Sequence, residues 1–447
     1  MADSKPTLFG REDEAEELPT YSPPSPITAR TIPRQLVTRT YSLDKHDHAW
    51  LTLHVKSVAP SSPQLPRVIE GEPVEGSVEM DAKDGVKSVS VAIIGELISD
   101  QNIRFSFVDV SQELWSSAAG DGSSEQGKLS GRQSWPYSLL LPSTVEAEAD
   151  DKTQKPFRLP PTDFARYWRY SIVYTLVVTV KNSSFFTPDY TYVPVFRPPE
   201  PSPLRQMAYE AGSPLPGPDV DPEGWHSLAP VTFEGKVFGA RAVAVTYVLS
   251  LAKPLSYTRG SVIPLHLVVE CQDDQTLDLL SSPTAPKVRL QRVSQIRYDA
   301  GGSNKSGSQK KLSDLKPMAA MAFQDMVGWL NKATWWTTPC DESHKRTLQG
   351  EIHLKGSLNS SAHFGLYKRS YEVVLSEPSI TGFVPNESKK DKAYHVVEVE
   401  IATAYPRGPR PIAYSPPTYD EEHSDDHVET RGTRFNQFTA GSSELFY

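Results

Sequence analysis

Apolar and polar residues alternate with period two over most of the chain, which predicts a β-protein. From Trp50 onward, Leu51, Leu53 and Val55 alternate with Thr52, His54 and Lys56, as in a half-buried strand. Val74, Val78 and Met80 line one side of the next strand, with acids on the other. Asp84-Gly85 reads as a turn. Val89, Val91, Ile93 and Leu97 then share a face, interrupted by Gly95 as a bulge or crossing point. The longest alternation places Trp168, Tyr170, Ile172, Tyr174, Leu176, Val178 and Val180 at every second position, and its aromatic and β-branched content suits a pleated surface. Tyr190–Phe196 reads as the last strand of this half.

The second half repeats that logic. Val243, Val245, Tyr247, Leu249 and Leu251 alternate, Tyr257–Gly260 turns the chain, and Ile263, Leu265, Leu267 and Val269 alternate again. Lys287–Tyr298, Glu351–Gly356 and Arg369–Leu375 answer to Val86–Leu97, Trp135–Leu141 and Tyr170–Val178. Val397, Val399 and Ile401 close the half. Equivalent strand orders predict two related sandwiches in tandem, residues 47–197 and 231–404.

Three stretches lack the alternation. Residues 1–46 and 405–447 are polar and proline-rich, which predicts disordered arms. Residues 198–230 hold so many prolines that they predict an irregular linker between domains. Between Ser313 and Trp336, Met318, Met321, Ala322, Met326, Trp329 and Leu330 fall near helical spacing. A short helix on a sheet edge is one reading. The other is an amphipathic membrane contact, with Trp329, Trp335 and Trp336 beside a basic loop carrying Lys310 and Lys311.

The chain's 447 residues exceed one compact core and suit two domains with tails. A net charge of −9 argues against nucleic-acid binding. Cys271 and Cys340 give neither zinc spacing nor a disulfide framework, as expected in a reducing compartment. Cys271 ends a strand and reads as a buried, inert thiol. No apolar run approaches a membrane span, and Met1–Glu17 is too polar for a secretory signal, so a soluble intracellular protein is expected. His46-Asp47-His48 and His423–His427 sit in polar flanks and read as solvated charge rather than metal ligands. No phosphate cradle, nucleophile elbow or zinc-helix motif occurs, so neither a cofactor, a metal nor catalysis is expected.

Function concentrates in the tails. Pro416-Pro417-Thr418-Tyr419 joins a polyproline II ridge to an aromatic anchor, a ligand pattern for WW-type domains. Leu18-Pro19-Thr20-Tyr21 is a variant of it, with leucine in the first place and weaker binding expected. Ser22, Ser25 and Ser415 each precede proline, where phosphorylation could tune docking.

Taken in order, Gly71–Val78, Val86–Gly95, Trp135–Pro142, Leu159-Pro160-Pro161, Tyr170–Val180 and Tyr257–Leu265, followed by the Pro-Pro-x-Tyr tail, resemble the arrestin-related trafficking adaptors (alpha-arrestins) of the fungal kind. The resemblance spans roughly residues 48–403. It implies an all-β fold of two tandem immunoglobulin-like, arrestin-type sandwiches. It implies a non-enzymatic adaptor that holds a plasma-membrane transporter or receptor and recruits a HECT-type ubiquitin ligase, leading to ubiquitylation and endocytosis. The implied ligase-binding residues are Pro416, Pro417 and Tyr419, with Leu18, Pro19 and Tyr21 as the variant site. The implied location is cytoplasmic, with recruitment to the plasma membrane or endosomes. The alternatives are a sorting scaffold working without a ligase and a β-sandwich ligand-binding module.

Overall fold

The computed structural model describes residues 36–45, 48–58, 65–82, 85–99, 104–117, 129–149, 153–163, 170–181, 183–296, 298–299, 310–311, 316–317, 326–339, 342–365, 367–386 and 392–415. The first half contributes β1 (Val37–Lys45), β2 (His48–Ser57), β3 (Arg67–Ile69), β4 (Val74–Ala82), β5 (Ser88–Ser99), β6 (Arg104–Ser116), β7 (Gly131–Leu139), β8 (Thr144–Glu148), β9 (Gln154–Arg158), β10 (Tyr170–Val180) and β11 (Ser183–Val193). Helix α1 (Pro203–Ala211) follows, then β12 (Trp225–Ser227), β13 (Val231–Val237), β14 (Arg241–Ala252), β15 (Ser256–Thr258) and β16 (Val262–Glu270). After α2 (Asp274–Leu280) come β17 (Lys287–Ile296), β18 (Tyr298–Asp299), β19 (Lys310–Lys311), β20 (Lys316–Pro317), β21 (Met326–Lys332) and β22 (Thr334–Thr338). The chain then forms β23 (Lys345–His353), β24 (Ala362–Phe364), β25 (Tyr367–Ser376), β26 (Phe383–Pro385) and β27 (Ala393–Ala402).

These strands build two sandwiches. In the first, a sheet ordered β1-β2-β4-β7 packs on one ordered β6-β5-β10-β11-β3, to which β19 adds beside β6. In the second, β22-β23-β16-β14-β13-β26 packs on β15-β27-β25-β17-β21. The two match strand for strand. β1-β2-β4-β7 corresponds to β13-β14-β16-β23, and β6-β5-β10-β11-β3 to β21-β17-β25-β27-β15. Even the exception recurs, because β3 joins β11 in parallel and β15 joins β27 in parallel, while the other pairs in these two series are antiparallel.

Each core is formed by the inward members of the alternating sets. Val89, Val91, Ile93 and Leu97 are buried, as are Ile172, Tyr174, Leu176 and Val178 opposite Leu53, Val78 and Met80. Gly95 is where β5 slips register against β6. A Cβ there would lie 2.9 Å from Phe107 and 3.1 Å from Tyr174. Its absence lets those rings meet edge to face at 5.6 Å. Pro136 sits in β7, an edge strand, where its missing N–H costs no ladder bond on the open side.

Several expectations are corrected. The first sandwich begins at β1, not Trp50: Val37, Tyr41 and Leu43 alternate with Thr38, Thr40 and Ser42. As an edge strand it leaves Val37 and Leu43 more than a third exposed, and Arg39 on their face blurs the apolar pattern. Residues 198–230 are not irregular throughout. Pro203 occupies the first turn of α1, where no N–H is needed, Ser202 caps the helix, and Gly212 ends it at φ 63°. Arg205 of α1 donates to the carbonyls of Lys253 and Gly224 and lies 5.1 Å from the Trp225 ring, tying this segment to the second sandwich.

The described part of residues 313–336 is strand, not helix. β21 pairs with β17, and β22 pairs with β23. Met318, Met321 and Ala322 lie outside the described residues. Backbone pairing with β17 and with β23 overrides a helical spacing that only a few residues carried. Trp335 turns inward over Gly350, where any Cβ would stand 2.4 Å from the indole, while Trp329 remains 36% exposed. Trp335→Ala should therefore cost about 3–5 kcal/mol in urea denaturation. Trp329→Ala should cost less than about 1 kcal/mol; equal losses would refute this placement.

Candidate functional site

Buried polar side chains come together at the junction of the sandwiches and at the last described stretch of the chain.

At the junction, β24 and β25 of the second sandwich enter the first. Phe364 is fully buried within the first core, 5.2 Å from Phe107 and 6.4 Å from Phe157. Beside it, Arg369 Nη1 donates to Asp163 Oδ2 at 2.6 Å, with both side chains almost wholly buried. Tyr367 donates its hydroxyl proton to the same carboxylate oxygen, and Arg369 Nε donates to the Ser360 carbonyl at 3.0 Å. The parity of β25 makes this possible, since Tyr367, Arg369 and Tyr371 share a face. Asp163 is held by a backbone bridge to Ile172, and the preceding Thr162 accepts from the Tyr192 N–H at 2.7 Å. Burial alone would pull the Arg369 guanidinium down. The facing Asp163 carboxylate and, after it, the phenols of Tyr367 and Tyr371 together outweigh it and hold its pKa above the usual value.

A cleft of about 560 Å³ opens beside this pair, lined in part by Arg158, Phe196, His363, Lys368, Glu398 and Glu400. Its charges have partners. Arg158 pairs with Glu70, and Lys368 with Glu398 at 3.0 Å. Burial would raise Glu70, but Arg158 and the Val195 N–H together hold its carboxyl below the ordinary range. The connecting segment is stitched to the last strand's end: Phe196 N–H donates to Thr403 Oγ1 at 3.1 Å and Ala404 N–H to the Phe196 carbonyl at 3.0 Å.

The second place is the chain's last described stretch. Ile412 and Tyr414 pack on Ala208, Tyr209 and Leu215, forming a small third core between α1 and the tail. Tyr414 donates its hydroxyl proton to the Ser213 carbonyl at 2.7 Å, and burial, then Glu351, raise its pKa. Glu351, 1% exposed, points from β23 to the tail. Its Oε2 accepts from Tyr414 N–H at 3.1 Å. Its Oε1 accepts from Ser415 N–H at 2.8 Å and from the Ser415 hydroxyl at 2.6 Å. His353 Nε2 lies 3.0 Å from that Oε1 and 3.1 Å from Ser415 Oγ. The folded body therefore extends to Ser415, beyond the expected boundary at 404.

Pro416, Pro417, Tyr419, Leu18, Pro19 and Tyr21 lie outside the described residues, as do Cys340 and the histidines of the flanks save His48. Cys271 is buried, and burial raises its thiol. Lys310 and Lys311 pair with Phe105 and Ser106 on the first sandwich, while Trp329 lies on an edge strand of the second. Trp335 is in the core, and the Trp336 ring stands 6.5 Å from that of Tyr414. Among the described residues, no helix is long and apolar enough to cross a membrane.

Asp163, Arg369 and Glu351 were not singled out from the sequence. The available signal was a charge at an inward position of an apolar strand, as Arg369 is between Tyr367 and Tyr371. No family model matches this chain, and no curated protein matches it.

If the Asp163–Arg369 pair joins the sandwiches, Asp163→Leu should cost about 3–5 kcal/mol by leaving a buried guanidinium unpaired. Asp163→Leu combined with Arg369→Met should recover at least half of that loss in equilibrium denaturation. A single-variant cost below about 1 kcal/mol would contradict this role.

Proposed function

We propose that the chain is a non-enzymatic adaptor of the arrestin-related kind, linking a membrane transporter or receptor to a WW-domain HECT-type ubiquitin ligase. The observation that carries this reading is how far the described body reaches. Ser415, its last described residue, is held by Glu351 and immediately precedes Pro416-Pro417-Thr418-Tyr419. A ligase domain gripping that motif would stay covalently tethered to a two-sandwich body whose sheet edges and cleft offer the surface for cargo. Support also comes from the doubled strand order and from a junction whose ionic groups are spent on one another rather than presented to a substrate.

Recognition needs only the extended ridge and the tyrosine ring, so a single motif binds modestly. A second motif at Leu18-Pro19-Thr20-Tyr21, on the other arm, would raise effective concentration against a ligase with several WW domains, tightening binding by about 10²-fold. Cargo bound to the sandwiches would then be ubiquitylated and internalised, with the adaptor working at the plasma membrane or endosomes.

Tyr419→Ala should reduce capture of the full chain by an immobilised WW-domain array at least about tenfold while leaving its thermal unfolding unchanged. Undiminished capture would refute the assignment.

A further inference from the structure

The anchoring of Ser415 has a regulatory consequence. Glu351 is buried and its carboxylate can only accept, so it needs donors. His353 supplies one; the tail supplies three, from Tyr414 N–H, Ser415 N–H and the Ser415 hydroxyl. These are charge-assisted bonds, stronger than neutral ones, and they join residues 63 and 64 positions apart. The Ser415 hydroxyl has one proton. Donating it to Glu351 leaves its lone pairs facing His353 Nε2.

We propose that Ser415 is a phosphorylation site for a proline-directed kinase and that its phosphate releases this clasp, exposing the adjoining Pro-Pro-x-Tyr ligand. In the transfer, Ser415 Oγ attacks the γ-phosphorus of ATP bound to the kinase. The bond from that phosphorus to the β,γ-bridging oxygen breaks, ADP leaves, and the hydroxyl proton passes to the kinase's base. The product carries close to two negative charges and no donor in place of one donated proton. It would meet the Glu351 carboxylate where an oxygen–oxygen distance of 2.6 Å existed. Of the donors that remain, the Tyr414 and Ser415 N–H groups already serve Glu351, and His353 Nε2 alone faces both Glu351 Oε1 and Ser415 Oγ, one cation-capable group between two anions. The modified residue therefore leaves, and Tyr414 and Ile412 leave with it.

Release matters because of distance. Consecutive Cα atoms are about 3.8 Å apart, so Pro416 and Pro417 stay within roughly 8 Å of the Ser415 Cα whatever their conformation. A partner domain of roughly 40 residues has a radius of gyration of about 9 Å, larger than that reach, so one docking its groove on the ridge also comes up against what lies beside Ser415. With Ser415 clasped, β23 and the α1 segment occupy part of that space. The apparent affinity is then the intrinsic one scaled by the fraction of released chains. This consequence rests on the reading of Pro416–Tyr419 as a WW ligand; the clasp itself does not.

The test uses the full chain carrying Tyr21→Ala, so that one motif is measured. Four forms are compared: unmodified, phosphoserine installed at position 415, Glu351→Leu and Tyr419→Ala. Hydrogen exchange of the segment containing Tyr414 and Ser415 reports the clasp, and the Kd for a purified WW domain reports the ligand. The phosphate and Glu351→Leu should each speed exchange at least about tenfold and tighten WW binding about three- to tenfold. Glu351→Leu releases the tail without altering the ligand, so it separates unclasping from a direct effect of the phosphate. Exchange unchanged by the phosphate would overturn the clasp. Faster exchange without tighter binding, in a chain where Tyr419→Ala abolishes binding, would overturn its control of the motif. Binding that survives Tyr419→Ala would instead refute the ligand reading, and exchange alone would then decide the clasp.

Discussion

Arg369 is the residue on which the two-domain arrangement turns. A guanidinium placed almost out of water is tolerated only with a carboxylate and further acceptors around it, and those come from Asp163 of the other sandwich and the Ser360 carbonyl. The pair spans 206 residues of sequence. Losing either partner while the junction stays closed would leave the other charge buried and unpaired, so the pair is compatible only with this packed arrangement. Phe364 adds the apolar part, filling the first core from the second domain's hairpin. The junction thus combines burial, which supplies stability, with an ion pair, which fixes the relative placement.

From that constraint the other features follow outward. The segment after β11 is pinned to the end of β27 through Phe196, Thr403 and Ala404, and α1 is pinned by Arg205 to the second sandwich. The end of the chain then has a surface to return to, made by α1, Leu215 and β23. The chain beyond the last strand is thereby tied down at Tyr414 and Ser415.

Strand existence was legible wherever one face of a strand is buried and the other is wet, as in Val89–Leu97 and Val245–Leu251. The doubled strand order was legible too, because each alternating segment recurs in sequence with the same neighbours. What escaped follows from tertiary context. β1 is an edge strand whose polar side chains hide its period. β21 and β22 gain their conformation from β17 and β23, and α1 forms in a proline-rich run because Pro203 falls at the one helical turn that welcomes it. The Asp163–Arg369 and Glu351–Ser415 contacts join distant residues, and no local pattern encodes such a meeting. The proline-tyrosine pattern is the opposite case, short and wholly contained in the sequence.

The central claim is that one body holds a membrane protein and a ubiquitin ligase together. Proximity labelling from the full-length chain in its native cell, read by mass spectrometry, tests it most directly. The account predicts that integral membrane transporters or receptors and a WW-domain HECT-type ligase are enriched in the same labelled set. Enrichment of neither class, or of membrane proteins with no WW-domain ligase among them, would contradict it.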